Sequence, residues 1–305
     1  MTRCIHCTRC VRFASEISEF SLGILDRGLK MEIGMYLNLN LIDELSGNII
    51  DLCPVGALTS MPYAFKHRIW DLNLYSNIDF LDSMHSSIRL HLYSNQIVRI
   101  LPLLDESINE EWITNKARFS YDSLNINRCY YPKLNILYKF LVISWDVAID
   151  FVFCYIKRFI YIFQSFYSLM NPFIDLPSCL SLKKFFNVLG GSKIFYKKRN
   201  KWIFDFKFYY LLNNKIISLE NFKFFIFIAC NLRLEMPLLN LRIKKNYNVN
   251  KNRDLYFFLY GLSLNYFTFP IKNMGNSLFK WFKFLEESKD FFQKYFLKNF
   301  LVFLF

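Results

Sequence analysis

The spacing of four cysteines constrains this chain more than any other feature. Cys4, Cys7 and Cys10 stand at even intervals near the start, and Cys53 lies far downstream with a proline directly after it. A cubane [4Fe–4S] cluster takes one thiolate for each iron, and the bacterial ferredoxin run places its fourth cysteine four residues after the third. Ala14 holds that position here. We therefore predict that Cys4, Cys7, Cys10 and Cys53 ligate one [4Fe–4S] cluster.

Other roles for the cysteines fit less well. Zinc prefers two separated pairs of Cys or His ligands, although His6 is a potential ligand beside the triplet. A disulfide framework is typical of short secreted chains, and this chain has 305 residues and only 8 cysteines. We expect Cys129, Cys154, Cys179 and Cys230, which stand singly among apolar residues, to be small buried hydrophobes.

The composition limits the classes of partner. Phe and Tyr number 35 and 19, while Gly and Pro number only 9 and 8. Codons rich in A and T specify many of the abundant residues, so the skew has either a mutational or a physical origin. The net charge is +13, but the basic residues are spread along the chain and we find no RNA-binding motif. We expect no nucleic-acid partner.

One long apolar run, residues 140–156, raises the question of a membrane span. Asp146 and Asp150 interrupt it at helical spacing, on one face. Each carboxylate at a bilayer centre would cost about 2.5–3.5 kcal/mol. The pattern therefore predicts an amphipathic helix and no direct membrane span.

Hydrophobic periodicity predicts an α/β chain with a small α+β cluster module at its N-terminus. A helix is expected after Cys10, and a β-hairpin at 88–101, where His91 falls on the solvent side. Farther on, helices and continuous apolar strands alternate, as in layered α/β domains. The predicted strands are 222–230, 255–260 and 300–305, and the predicted helices include 182–189 and 277–296.

Three regions follow from this pattern. Residues 1–68 form the [4Fe–4S] module, 69–135 a β-rich start of the second domain, and 136–305 its α/β part. Phosphate-binding turns after strands are rich in glycine, but residues 230–233 contain none and the Gly190-Gly191 pair ends a helix. We expect this domain to hold no nucleotide and no molybdopterin.

Several segments carry a family resemblance. The runs MTRCIHCTRCVRFASEI (1–17), ELSGNIIDLCPVGALTS (44–60), PYAF (62–65) and INEEWI (108–113) closely resemble the largest iron–sulfur subunit of mitochondrial respiratory complex I, NADH:ubiquinone oxidoreductase. The resemblance implies that the four cysteines hold a [4Fe–4S] cluster on the path of electrons from NADH to ubiquinone. It also implies a reduced molybdopterin-oxidoreductase-like domain without molybdenum, and a place in the matrix-side arm of the mitochondrial complex.

The chain departs from this family at its start. Family members carry a ferredoxin-like [2Fe–2S] region and a further [4Fe–4S] site before the cysteine triplet, and neither precedes Cys4. Either the missing clusters lie on a separate polypeptide, or the gene is split, or the sequence is a fragment of a longer chain. We favour an organelle-encoded split subunit, with the missing clusters on a separate chain and an NADH-binding flavoprotein among the other complex I partners. The alternatives are an iron–sulfur subunit of a hydrogenase or formate dehydrogenase, and a zinc-stabilised structural or RNA-associated protein.

Overall fold

The computed structural model of the chain describes residues 2–17, 22–35, 41–126, 128–136, 138–163, 167–171, 174–189, 193–196, 215–222, 224–228, 230–249, 256–260, 270–275 and 300–304, with single positions at 279, 283 and 286. The described helices are α1 Arg9–Ile17, α2 Asn48–Leu52, α3 Asn115–Phe119, α4 Asp122–Asn125, α5 Trp145–Phe163, α6 Leu176–Val188, α7 Leu232–Glu235 and α8 Pro237–Val249. The described strands are β1 Gly23–Leu25, β2 Glu32–Gly34, β3 Asn73–Ile78, β4 Ser87–Tyr93, β5 Gln96–Pro102, β6 Lys133–Ile136, β7 Lys139–Val142, β8 Tyr167–Met170, β9 Lys193–Tyr196, β10 Phe224–Ile228, β11 Tyr256–Tyr260, β12 Lys272–Gly275 and β13 Phe300–Leu304.

Contacts divide the chain into two compact units. The first unit consists of Met1–Ile126 and Leu212–Phe305, and the second is Asn127–Leu211. The first unit contains the cysteine-rich N-terminus, the three-stranded sheet β3–β4–β5 and the parallel sheet. Its N-terminal part holds α1, the antiparallel pair β1–β2 and α2, so the predicted helix after the cysteine triplet is present.

The predicted hairpin is confirmed as β4 and β5. The two strands pair antiparallel, and their connection is the two-residue turn Ser94-Asn95. Both turn residues have positive φ, 46° and 65°, which is the left-handed conformation that a tight hairpin of the primed type requires. Asparagine tolerates this conformation better than most residues, so the local sequence supports the turn.

The expectation that His91 faces solvent is wrong. Only 4% of His91 is exposed, and the rings of Tyr63 and His67 lie on its neighbours Arg99 and Tyr93. The Nε–H group of Arg99 donates to His91 Nδ1 at 3.0 Å, and the same guanidinium lies over the Tyr63 ring at 4.3 Å. Burial, followed by the nearby arginines, lowers the pKa of His91 to about 4, so the imidazole is neutral at physiological pH.

A four-stranded parallel sheet forms the α/β part of the first unit. Its strand order is β12–β11–β10–β13, and every neighbouring pair is parallel. Phe225, Ile226 and Phe227 of the inner strand β10 are at most 1% exposed, as expected for a strand covered on both faces. The strands predicted at 222–230, 255–260 and 300–305 are confirmed. Residues 277–296 lie outside the described residues, apart from positions 279, 283 and 286, which are helical.

One hydrophobic core joins the N-terminal module to this sheet. Phe13, Ala14 and Ile17 of α1 pack in the same buried cluster as Phe225 and Phe227 of β10. Apolar residues of α7 and α8 complete the cluster. The sheet therefore supports the helix that begins at the cysteine triplet.

The second unit contains mixed helices and strands. The strands β6 and β7 form an antiparallel pair, and β8 and β9 form a parallel pair. Ser144 precedes α5 and its Oγ accepts from the Val147 N–H at 3.5 Å, as the side chain of an N-cap residue does. In the part of the chain that the structure describes, no helix is long and apolar enough to cross a membrane.

Two carboxylic acids are buried in the connection between β3 and β4. Asp79 and Asp82 are 3% and 4% exposed, and one carboxyl oxygen of each has no hydrogen-bond partner. The pKa of Asp82 is raised to about 6. Burial is the largest cause, the hydrogen bond from the Met84 N–H opposes it, and the charge of Asp79 adds to it. The pKa of Asp79 is also raised, by burial. The fold therefore favours the protonated form of these groups.

This burial predicts a pH-dependent stability. Since the folded pKa of Asp82 lies above the unfolded value, the folded state binds more protons between them, and stability falls as pH rises through that window. We expect a loss of about 2 kcal/mol between about pH 4 and pH 7 from this group. Asp82→Asn should remove most of the slope and raise the free energy of unfolding at neutral pH. Urea unfolding across this range measures it, with Asp71→Asn, an exposed position, as control; equal slopes in wild type and Asp82→Asn would contradict the expectation.

Candidate iron–sulfur site

The cysteine triplet lies in a loop with unusual backbone geometry. His6 and Thr8, between the cysteines, have φ values of 54° and 62°. Non-glycine residues rarely adopt this left-handed conformation, and where they do the strain often marks a functional site. In this loop the His6 N–H donates to Cys4 Sγ at 3.4 Å. His6 thus contributes its main chain to the sulfur environment.

The three thiols of this loop lie close enough to influence one another. Cys4 and Cys7 are half-buried, and Cys10 is buried in the first turn of α1. Burial raises the pKa of Cys10, the N–H groups of Val11 and of Cys10 itself oppose this, and the charges of Cys7 and Cys4 raise it further. Like charges that repel in this way are neutralised when a cationic iron centre binds them.

Cys53 follows α2 directly, in a loop that surrounds its sulfur with backbone amides. Burial raises the pKa of its thiol, but the N–H groups of Leu58, Val55, Ala57 and Gly56 together outweigh burial, and the net pKa is lowered. Gly56 has φ = +62°, which only glycine adopts without steric cost, so it allows the loop to close around the sulfur. This environment stabilises a thiolate, the form that ligates metal.

The two cysteine loops adjoin the same core. The helix α1, which begins beside Cys10, packs against α2, which ends beside Cys53. Cys10 and Ile49 belong to one buried cluster, and Leu52 and Leu58, on either side of Cys53, pack against it. The fold thus places the remote cysteine on a segment that neighbours the triplet.

Four thiols, those of Cys4, Cys7, Cys10 and Cys53, form the candidate donor set. Among the described residues, no group of three or more His, Cys, Asp or Glu side chains could hold one metal ion. A cubane has different requirements, because each of its four irons takes its own thiolate and the sulfur ligands stand apart. Four soft donors, three of which have backbone N–H groups directed at sulfur, fit such a cluster.

A buried polar network braces α2 against α3. Asn48 is fully buried; its Nδ2 donates to the carbonyls of Leu45 at 2.9 Å and Ile113 at 2.8 Å. Its Oδ1 accepts from the Ile113 N–H at 3.1 Å and from Arg118 at 2.9 Å. The same Arg118 nitrogen also pairs with Asp51. One guanidinium therefore contacts two side chains of the short helix that ends at Cys53.

The segment before α2 is fixed from two further directions. Asn115 of α3 accepts from the Gly47 N–H at 2.8 Å and donates to the Asp43 carbonyl at 2.8 Å. Arg233 of α7 donates to Glu44 at 2.9 Å and to the Ile42 carbonyl at 3.0 Å. Residues 42–48 are consequently held by helices that lie far away in the sequence.

This network was not predicted from the sequence. Asn48 is the first residue of α2. The signal was present: Asn48 and Asp51 are three residues apart, hence on one helical face, in an otherwise apolar segment. Their distant partner Arg118 could not be identified from the local pattern.

The four remaining cysteines differ in burial. Cys230 is fully buried, as expected, and burial, followed by the charge of Glu235, raises its pKa to about 12. Cys179 is half-buried. Cys129 and Cys154 are exposed, so the expectation of burial is wrong for these two. The described side chains of the second unit do not cover them.

Comparison with known proteins identifies the regions of the chain. Residues 1–59 match the family model described as NADH-quinone oxidoreductase subunit 3, ferredoxin-like domain. Residues 73–122 match NADH-ubiquinone oxidoreductase NDSU1/NuoG-like, 4Fe-4S domain, and residues 128–299 match molybdopterin oxidoreductase. The chain belongs to the molybdopterin oxidoreductase family. The expected fold class, a 4Fe–4S module followed by a molybdopterin-oxidoreductase-like domain with mixed helices and strands, is therefore confirmed.

The relatives agree with the resemblance seen in the sequence. The chain is 42% identical over 284 residues to the NADH-ubiquinone oxidoreductase 75 kDa subunit of Acanthamoeba castellanii, covering 91% of this chain and 41% of the relative. It is 38% identical over 293 residues to the same subunit of Reclinomonas americana, covering 91% and 42%. It is 37% identical over 292 residues to the mitochondrial 78 kDa subunit of Candida albicans, covering 90% and 38%. The chain thus spans about two fifths of the length of these relatives.

Proposed function

We propose that the chain is an electron-transfer subunit of NADH:ubiquinone oxidoreductase that holds one [4Fe–4S] cluster through Cys4, Cys7, Cys10 and Cys53. The observation that carries the proposal is the pair of amide-lined cysteine loops on one core, in a chain whose relatives bear that enzyme's name. In this role the chain relays electrons that come from NADH through flavin toward ubiquinone, and converts no substrate itself.

The cluster, when bound, would accept and release one electron at a time. The residues of the chain determine how it is held. The N–H groups of residues 55–58 and of His6 stabilise negative charge on sulfur, which favours the thiolate ligands. The core of α1 and β10 covers one side of the cysteine loops and limits the access of water from that side. Both effects are means by which a protein adjusts a cluster potential.

We further propose the division of the chain into a [4Fe–4S] module at 1–68, a β-rich region at 69–135 and an α/β region at 136–305. The α/β region acts as a scaffold without molybdopterin. In α/β sheets ligands bind beyond the carboxyl ends of the strands. The segment that follows β10, residues 230–233, contains no glycine, and its Cys230 and Leu232 side chains are 0% exposed. These residues do not fit a phosphate-bearing cofactor.

Metal and pterin analysis of the purified native assembly tests the scaffold role. We expect iron and no molybdenum or pterin assignable to this chain. Stoichiometric molybdenum on the chain would contradict the proposal, and would favour the formate dehydrogenase alternative.

The remaining chains of the enzyme are the proposed partners. They include a separate chain with the clusters that precede this region in the family, and the NADH-binding flavoprotein. The proposed location is the matrix side of the mitochondrial inner membrane; the Candida albicans relative is named mitochondrial.

Purification of the native assembly with an affinity tag on this chain tests the function. We expect co-purification of an NADH-oxidising flavoprotein, and an iron–sulfur EPR signal on reduction with NADH. Recovery of the chain with zinc in place of iron, or with a hydrogenase activity and no NADH oxidation, would contradict the proposal.

A further inference from the structure

The segment that matches a 4Fe-4S domain model at 73–122 contains no cysteine. It therefore supplies no thiolate to a cluster. Its relation to iron–sulfur chemistry must be sought in what it contacts, and its last helix, α3, contacts the segment that carries Cys53.

We propose that Arg118, through Asn48 and Asp51, is a positioning residue that holds Cys53 at the cluster and balances the charge beside it. The proposal rests on the proposed function, because it assumes that Cys53 is a ligand. It assigns to the 73–122 segment a role in forming a site whose ligands all lie before it in the sequence.

The geometry of the contact supports a positioning role. The Arg118 side chain is only 4% exposed, and a single nitrogen bridges Asn48 and Asp51, which lie on one face of α2. The helix has five residues and no side-chain N-cap, so its own hydrogen bonds are too few to fix it. External contacts must therefore determine where α2 ends, and Cys53 follows directly.

The approach of Arg118 depends on Gly47. A Cβ atom on Gly47 would lie 2.9 Å from both Cδ and Nε of Arg118, and 2.8 Å from Asn115 Oδ1. The glycine thus leaves room for two side chains of α3 to reach the start of α2. Such a fit is difficult to explain if the contact between α2 and α3 is incidental.

The ion pair between Asp51 and Arg118 should also affect the midpoint potential of the cluster. Asp51 is two residues before Cys53, and its carboxylate is neutralised by Arg118. Arg118→Gln leaves a negative charge near the cluster, which disfavours the added electron and lowers the midpoint potential. Asp51→Asn leaves a positive charge and raises it. A residue that only stabilises the fold would not produce shifts of opposite sign.

The test uses the full 305-residue chain, reconstituted anaerobically with iron and sulfide. For each variant, iron release to a chelator, the EPR spectrum of the reduced form and the midpoint potential are measured. Arg118→Gln should assemble a cluster but release iron at least about tenfold faster than wild type, which corresponds to about 1.4 kcal/mol. Arg89→Gln, an exposed arginine of the same segment, should match wild type in all three measurements.

A second substitution at Arg118 separates the effect of its charge from the effect of its geometry. Arg118→Lys retains the charge but not the bridging geometry, so iron release should accelerate while the potential stays near that of wild type. It serves as the decisive variant if Arg118→Gln does not fold. Release rates equal to those of Arg89→Gln, or potentials of Arg118→Gln and Asp51→Asn that shift in the same direction, would overturn the proposal.

The measurements distinguish failure of the proposed function from failure of the positioning role alone. A wild-type chain that binds no iron–sulfur cluster would refute the proposed function. A wild-type chain that binds the cluster, with Arg118 variants indistinguishable from the Arg89→Gln control, would refute only the positioning role.

Discussion

Replacement of Cys53 by serine should abolish the four-iron cluster or convert it to a form with fewer irons. The remaining cysteines near the site number three, and a cubane needs one thiolate for each iron. A serine hydroxyl lacks the low pKa and the soft sulfur that iron–sulfur ligation uses. Iron and sulfide per reconstituted chain, together with EPR of the reduced form, measure the effect.

Cys154 provides the matched control. It is exposed and lies in the second unit, so Cys154→Ser should leave iron content and EPR unchanged. Cys230→Ser should also retain the cluster, since the pKa of this buried thiol, about 12, keeps it protonated. An unaltered EPR signal with full iron content in Cys53→Ser would contradict the ligand assignment.

Asn48→Ala should cause the largest loss of stability in the first unit outside the hydrophobic core. The change removes four hydrogen bonds made by one fully buried amide and leaves both backbone groups of Ile113 without these partners. Because each buried polar group left unsatisfied costs about 1–3 kcal/mol, we expect a loss of about 3 kcal/mol or more. Urea unfolding followed by tryptophan fluorescence gives the difference in free energy.

A second asparagine serves for comparison. Asn73 is exposed at the start of β3, and Asn73→Ala should change the free energy of unfolding by less than about 0.5 kcal/mol. A loss in Asn48→Ala no larger than that in Asn73→Ala would show that the network contributes nothing measurable. Cluster-free chain should show the same ranking, since all four hydrogen bonds are made within the polypeptide.

The sequence alone was sufficient to predict those features that depend on local pattern. The run 222–230 identified a buried parallel strand because residues 224–230 contain no polar side chain, and β10 has its predicted type and burial. The cysteine spacing predicted a cluster, and the runs 1–17 and 44–60, which contain the four cysteines, carried the resemblance to the family that the comparisons confirm.

Features that depend on long-range contacts could not be predicted in this way. His91 alternates with apolar residues and was therefore expected to face solvent, but it is buried, and Tyr63 and His67 from an earlier segment pack beside it on Arg99 and Tyr93. Arg118 is 67 residues from Asp51 in sequence, and no periodicity links them. The exposure of Cys129 and Cys154 likewise depends on the packing of a whole unit, to which their apolar neighbours in sequence gave no guide.

Mössbauer spectroscopy of the chain isolated within its native assembly, after growth on enriched iron, tests the central claim most directly. The account predicts one [4Fe–4S] cluster assignable to this chain, and loss or conversion of its signal in the assembly that carries Cys53→Ser. Absence of any four-iron signal that depends on Cys53 would contradict it.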